Sequence, residues 1–288
     1  MTSEDGFGIV AIVGVGLIGG SLGMALRRDG NASRVIGVGR DAGRLEKALR
    51  YEAIDEYSTE LQDTCKLADL IVLCTPVQRI IADLPSILAV AKPTAVVTDV
   101  GSIKGEIVAA ADGDPRFIGS HPMAGSEAAG VEASRPTLFQ DATWAVTPVA
   151  STSPHATSIA QRLGKSLGSS VHTLSPEAHD AAVAITSHLP HVLATSLMTV
   201  AANAAAHSPV LPALSAGSFA DATRVAASSP DIWRDVCLTN RNAVLAAIDA
   251  LQTKLAEARG LVDGADSEAL HEFFATGAAA RGHWRRGG

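Results

Sequence analysis

His121 lies in the stretch GSHPMAGSEAAG (Gly119–Gly130), between a serine and a proline and ahead of the small-residue turn Ala124-Gly125-Ser126. A histidine in such a Gly/Pro-punctuated connection is poorly placed for packing, and its ordinary pKa of about 6.5 lets it change charge near neutral pH. Two other polar segments precede it, Thr75-Pro76 and Asp99-Val100-Gly101-Ser102-Ile103-Lys104. Farther on, Thr186-Ser187-His188-Leu189-Pro190-His191 groups two histidines around a proline, and Arg224 sits in Ser218–Ala226. In a chain of net negative charge, any anionic ligand must be held by locally placed arginines. Each residue also has a structural reading: Ser102 as a helix cap, His121 as a turn histidine, Arg224 as the ion-pair partner of Asp221, and Trp233 as core. His188 and His191 have no third ligand at a metal-site spacing, so no metal centre is expected.

These residues need elements to hold them. Before residue 175, apolar β-branched runs alternate with helical stretches: GIVAIVGVG at 8–16, RVIGVGR at 34–40, DLIVLCTP at 69–76, AVVTDVGS at 95–102, FIGSHP at 117–122, TWAVTP at 143–148 and SSVHTLSP at 169–176. Such a pattern predicts an α/β, Rossmann-type, doubly wound and mostly parallel sheet, with chemistry gathered at the carboxyl ends of its strands. Ser175-Pro176-Glu177 reads as a helix cap, a first-turn proline and a first-turn acid, and Ala- and Leu-rich helical pattern follows. The expected division is 1–175 and an all-helical second domain, 176–288, with RGHWRRGG at 281–288 as a frayed tail. Pro190 should break its helix by clashing with the Thr186 carbonyl.

Gly14-Val15-Gly16-Leu17-Ile18-Gly19 follows the first strand and opens the first helix. That context points to a dinucleotide pyrophosphate held by Gly14, Gly16, Leu17, Ile18 and Gly19, with Thr75 and Pro76 beside it, and to a nicotinamide cofactor, NAD(P). The second strand ends in Gly39-Arg40-Asp41, without an acid at position 39. Arg40 would pair with a 2′-phosphate, which leans the reading toward NADP; a solvated arginine beside Asp41 is the other reading.

Composition limits the partners. The 288 residues are 47% hydrophobic, with 23 Lys and Arg against 30 Asp and Glu, a net charge of -7. No basic run interleaved with aromatics occurs, which argues against nucleic acid. Three scattered cysteines give no disulfide framework and fit a reducing cytosol. The apolar segment Phe7–Leu26 is interrupted by glycines and lacks a basic start, so neither a signal nor a membrane helix is expected and the protein reads as cytoplasmic. Apolar helical faces after residue 176 exceed what a small domain can bury alone, which predicts a homodimer.

Taken in order, GVGLIGGSLG, DVGSIKG, SHPMAGSE, TSHLPH and FADATRVA resemble the prephenate dehydrogenase family of tyrosine biosynthesis, which includes arogenate dehydrogenases. The resemblance runs from about residue 9 to about residue 280. It implies oxidative decarboxylation of a cyclohexadienyl carboxylate, prephenate or alternatively arogenate, with hydride transfer to NAD(P)+. By motif, His121 matches the catalytic histidine at the substrate 4-hydroxyl, Ser102 the serine that orients that contact, and His191 a second active-site histidine. Arg224 matches the arginine that grips a substrate carboxylate, and His188 is carried as a substrate-binding candidate beside it. Ala220 stands where many relatives have a larger, often basic residue. Neither an appended regulatory domain nor a preceding chorismate mutase segment is expected. The competing readings are a β-hydroxyacid dehydrogenase, whose catalytic lysine is missing from 177–200, and a non-catalytic nicotinamide sensor.

Overall fold

The computed structural model describes residues 6–125 and 129–284, so Ser126 of the predicted turn and the last four residues of the predicted tail lie outside the described residues. Eight strands follow in chain order: β1 (Ile9–Val13), β2 (Arg34–Val38), β3 (Glu56–Ser58), β4 (Leu70–Leu73), β5 (Val96–Asp99), β6 (Phe117–Pro122), β7 (Thr143–Thr147) and β8 (Ser170–Thr173). They form one sheet in the order β3-β2-β1-β4-β5-β6-β7-β8. Pairing is parallel from β3 to β6, antiparallel between β6 and β7, and parallel between β7 and β8. The fold is therefore the expected Rossmann-type α/β sheet followed by a helical region.

Alternation along each strand divides the core into two layers. Val10 and Ile12 of β1 pack on one face with Leu22, Leu26 and Trp144. Ala11 and Val13 pack on the other with Ile71, Leu73, Ile80 and Leu84. Helices cover both faces, so strands read as continuous apolar runs, and each fully buried aliphatic side chain contributes about 1.5 to 3 kcal/mol. The edge strand β3 was not among the predicted strands.

The strand order reverses direction between β1 and β4, which opens a crevice at their carboxyl ends. Gly14 follows β1, Thr75 follows β4, Ser102 follows β5, and His121 lies at the end of β6. All four therefore border one edge of the sheet.

From Pro176 the described chain is helical: Pro176–Val183, a π-helical turn Ala184–His188, Leu189–Ala205, Gly217–Thr223, a 3-10 turn Arg224–Ala227, Pro230–Thr239, Arg241–Asp263 and Ser267–His283. The last helix extends through Arg281, so the predicted fraying does not begin at residue 281. Pro190 does not break the chain as expected. The π turn places it in the first turn of the resumed helix, where it has no needed amide to lose.

Gly19 packs the first helix against the nucleotide turn, and a Cβ built there would stand 2.2 Å from the Gly14 carbonyl oxygen. Gly19→Ala is therefore expected to lower folding stability by about 1 to 3 kcal/mol and to weaken dinucleotide binding. Urea denaturation and cofactor titration of the same variant check both effects.

Candidate active site

Gly14 adopts φ +95, the left-handed turn that bulkier residues avoid. A Cβ on Gly16 would meet nothing within 4 Å, so its backbone faces open space at the start of the helix. Leu17 and Ile18 form the first helical positions and pack against the core. Thr75 adjoins the turn: its Cγ2 lies 2.8 Å from where a Gly14 Cβ would stand. Its Oγ1 is buried without a protein partner, and an unsatisfied buried hydroxyl at this position fits a bound polar group. Pro76 is exposed and caps the helix Val77–Val90. Arg40 is exposed just beyond β2. Asp41 accepts the Arg44 amide at 3.1 Å as a helix cap and lies 3.5 Å from the Arg44 guanidinium, so its carboxylate is engaged with Arg44. These residues suit a dinucleotide.

Beneath the site lies a buried ion pair that composition did not reveal. Lys104 and Asp99 are both 0% exposed and paired through Nζ and Oδ2. Lys104 Nζ also donates to the Ser120 carbonyl at 2.7 Å, while Asp99 accepts the Gly101 amide at 2.8 Å and the Ser120 amide at 3.2 Å. Burial pushes the Asp99 carboxyl up and the Lys104 ammonium down, and their mutual attraction opposes both movements. The pair pins the end of β5 to the residue immediately before His121. Thr98 Oγ1 adds hydrogen bonds to the Ile118 carbonyl at 2.7 Å and the Ser120 hydroxyl at 2.9 Å.

His121 is half-buried on β6, with Nδ1 2.9 Å from Nε2 of His179. His179 is buried one turn into the helix Pro176–Val183, and its Nδ1 is 2.8 Å from Asp180 Oδ1. Asp180 Oδ1 and Oδ2 accept the amides of Lys104 and Gly105 at 2.7 and 2.8 Å. The helical region thereby caps the short helix Gly105–Ala110, and the alternative structural reading of Ser102 as that cap does not hold. Ser102 sits half-buried in the connection after β5. Burial alone would raise the Asp180 carboxyl, but hydrogen bonds from His179 and from the Gly105 and Lys104 amides outweigh it and hold the group below the usual carboxylate range. Burial pushes His121 well below the ordinary histidine range, reinforced by proximity to His179, Lys104 and His188.

His188, at the end of the π turn, is buried and accepts at Nδ1 from Asn240 Nδ2 at 3.2 Å. The same amide group donates to the Asp180 carbonyl at 2.9 Å. Burial pushes His188 down to about 4, so at neutral pH it is an uncharged ring with Nε2 as its donor. His191 donates through Nδ1 to the Ser187 carbonyl at 2.9 Å and stacks on Trp233, ring centroids 3.4 Å apart. Trp233 is thus part-exposed beside two histidines rather than core. Burial lowers the His191 pKa, the Ser187 carbonyl opposes this, and the Arg224 charge adds to the lowering. Arg224 is exposed on the turn Arg224–Ala227, which packs against the helix Leu189–Ala205.

His121 and His188 therefore share one hydrogen-bonded network through His179, Asp180 and Asn240, with His191 near His188 and Arg224 near His191. His179, Asp180, Asn240 and the Asp99–Lys104 pair were missed as site residues. The adjacent His179-Asp180 pair just after a helix cap was the one available signal. Among the described residues no cluster of His, Cys, Asp or Glu could hold a metal ion.

Two family models match in succession: the prephenate dehydrogenase nucleotide-binding domain over residues 22–173 and the prephenate dehydrogenase dimerization domain over 175–276. The chain belongs to the prephenate dehydrogenase family. It is 33% identical over 277 residues to the cyclohexadienyl dehydrogenase of Zymomonas mobilis, covering 94% of each chain. A crystal structure of Aquifex aeolicus prephenate dehydrogenase in complex with hydroxyphenyl propionate and NAD+ superposes with a TM-score of 0.91 at 31% identity, covering 97% of this chain and 99% of that one. Synechocystis arogenate dehydrogenase superposes with a TM-score of 0.83 at 31% identity, covering 95% and 98%. The enzyme is an NAD(P)-dependent oxidoreductase of this family.

The buried ion pair yields a stability test. Lys104→Met leaves Asp99 buried without its partner, which is expected to cost about 3 to 5 kcal/mol. Replacing both residues, Asp99→Leu with Lys104→Met, should cost less than that single change, as read by urea denaturation.

Proposed function

We propose that the enzyme converts prephenate to 4-hydroxyphenylpyruvate by oxidative decarboxylation, with arogenate, which carries an ammonium in place of the side-chain keto group, as the alternative substrate. The observation that carries this reading is the position of His121: at the carboxyl end of β6, beside the nucleotide crevice, and backed by His179 and Asp180. NAD(P)+ accepts the hydride when bound, held by Gly14, Gly16, Leu17, Ile18, Gly19, Thr75 and Pro76. His121 takes the proton of the substrate 4-hydroxyl as carbonyl character develops at that carbon, and Ser102 orients the hydroxyl. The ring carboxylate leaves as CO2, its bonding electrons make the ring aromatic, and the oxygen at the former C4 carbonyl regains the proton to give the 4-hydroxyl of the product. Arg224 holds a carboxylate through paired hydrogen bonds. His188 offers a neutral donor, and His191, braced by Trp233, closes the substrate side.

In this reading residues 1–175 bind the nucleotide, and residues 176–288 complete the site and form a cytoplasmic homodimer. Within the helical segment Pro176–Ala205 an 18-residue window has a mean hydropathy of 1.2, long and apolar enough to cross a membrane, with 22% of that window buried. Yet its buried positions include His179 and His188, turned into the site. Exposed Ile185, Val200, Leu214, Val262 and Phe274 on the helical region give a second copy of the chain an apolar face to cover.

His121→Asn should retain fold and cofactor binding but lower kcat by about 10²-fold or more, because an amide cannot accept the proton. In the unaltered enzyme kcat/KM should fall as pH drops through the His121 pKa, since imidazolium cannot act as base. Burial lowers that pKa, so activity should persist below the ordinary histidine range before it falls. A pH profile at saturating cofactor checks both enzymes; an unchanged acidic limb in the variant assigns the proton to another group.

The exposed Arg40 and the absent acid at position 39 favour NADP. Arg40→Ala should weaken NADP selectively, and Gly39→Asp should shift preference toward NAD by placing an acceptor at the ribose. A Cβ on Gly39 would make ordinary contact with Leu45 at 3.4 Å, so the second change fits sterically. KM values for both cofactors decide; equal effects of Arg40→Ala on the two would remove the 2′-phosphate contact.

A further inference from the structure

A carboxylate has no proton to donate, so the ring nitrogen facing it must carry one. Asp180 already accepts two backbone amides, and its ionised form faces His179 Nδ1 at 2.8 Å. Where His179 is a neutral imidazole, Nδ1 is therefore its protonated nitrogen and Nε2 its acceptor. Only one nitrogen of each neutral imidazole bears hydrogen, so the 2.9 Å contact from His179 Nε2 is completed by a proton on His121 Nδ1. That leaves His121 Nε2 with an unshared lone pair.

We propose that Asp180 and His179 are positioning residues for His121: the carboxylate sets the tautomers of both rings so that His121 presents a proton-accepting Nε2, and His179 takes the Nδ1 proton as Nε2 gains one. The inference rests on the reading of His121 as the base. The step balances. The substrate O–H bond breaks as the Nε2–H bond forms, the Nδ1–H bond breaks as a bond to His179 Nε2 forms, and His179 becomes an imidazolium beside Asp180. His121 itself ends neutral, in the opposite tautomer.

The surroundings require such sharing. His121 is faced by Lys104 after β5, by His179 and by His188, while Asp99 is bound to Lys104 and Asp180 to His179. Lys104 opposes a positive charge on His121, and burial disfavours it further. The Asp180 carboxylate lies in contact with His179, not with His121. A proton passed one ring farther therefore reaches the only carboxylate in contact with either ring among the described residues.

The arrangement is tested on the full chain labelled with 15N histidine. Long-range proton–nitrogen spectra of the unaltered protein should show His121 protonated at Nδ1. Asp180→Asn offers an amide donor to His179 Nδ1, which should reverse both tautomers, place the His121 proton on Nε2 and lower kcat by about 10²-fold or more, with KM changed less than about threefold. His179→Gln, whose amide oxygen still accepts from His121 Nδ1, should keep the His121 tautomer yet lower kcat by about 10-fold or more. A His121 proton on Nε2 in the unaltered protein, an unchanged tautomer with unaltered kcat in Asp180→Asn, or full turnover in His179→Gln would overturn the inference. Full turnover in His121→Asn with the expected tautomers in the unaltered protein would instead remove the reading of His121 as base.

Discussion

Two backbone amides and one imidazole converge on the Asp180 carboxylate, and the relative placement of sheet and helices depends on that convergence. The amides of Lys104 and Gly105 begin the short helix after β5, and the imidazole belongs to the neighbouring residue, His179. Ser175 accepts the Ala178 amide at 3.1 Å, which starts the helix that carries both residues immediately after the last strand. A local cap thus fixes where the helical region begins. The longer-range cap made by Asp180 fixes how it docks. Charge-assisted hydrogen bonds to a carboxylate are roughly twice as strong as neutral ones, and here they also satisfy amides that a short helix would otherwise leave open.

Burial gives the site its electrostatic character. The chain is acidic overall, at a net charge of -7, yet the groups around His121 are histidines and a lysine. Lys104 is neutralised by Asp99, and burial lowers the His121 and His188 pKa values. At neutral pH these rings act as uncharged donors and acceptors, while the positive charge at the outer side of the site is carried by Arg224, close enough to act on His191. A carboxylate-bearing ring bound there, as proposed, would meet a cation at one end and a neutral base at the other.

Features that depend on neighbours in sequence were legible. The glycines between β1 and the first helix, the apolar runs, the cap at Ser175 and the family motifs all lie within short windows. Features that depend on distant partners were not. His179 meets His121 across 58 residues, and Asp180 meets Lys104 across 76. Lys104 stood out only as part of the polar segment after β5, because nothing local shows that Asp99 and Ser120 enclose it. Pro190 read as a helix break because the regular α-helix was the reference; a π turn absorbs the mismatch and places His188 and His191 on either side of the resumed start. Trp233 read as core on composition, whereas it stacks on His191. The strand Glu56–Ser58 was too short to show alternation.

The measurement that reaches the central claim most directly is turnover on the cyclohexadienyl substrate itself. Purified enzyme would be mixed with prephenate and NADP, with reduced nicotinamide, CO2 and 4-hydroxyphenylpyruvate quantified together, and arogenate and NAD run in parallel. The account predicts the three products in equal amounts from prephenate. Binding of either cofactor without turnover of prephenate or arogenate would contradict it.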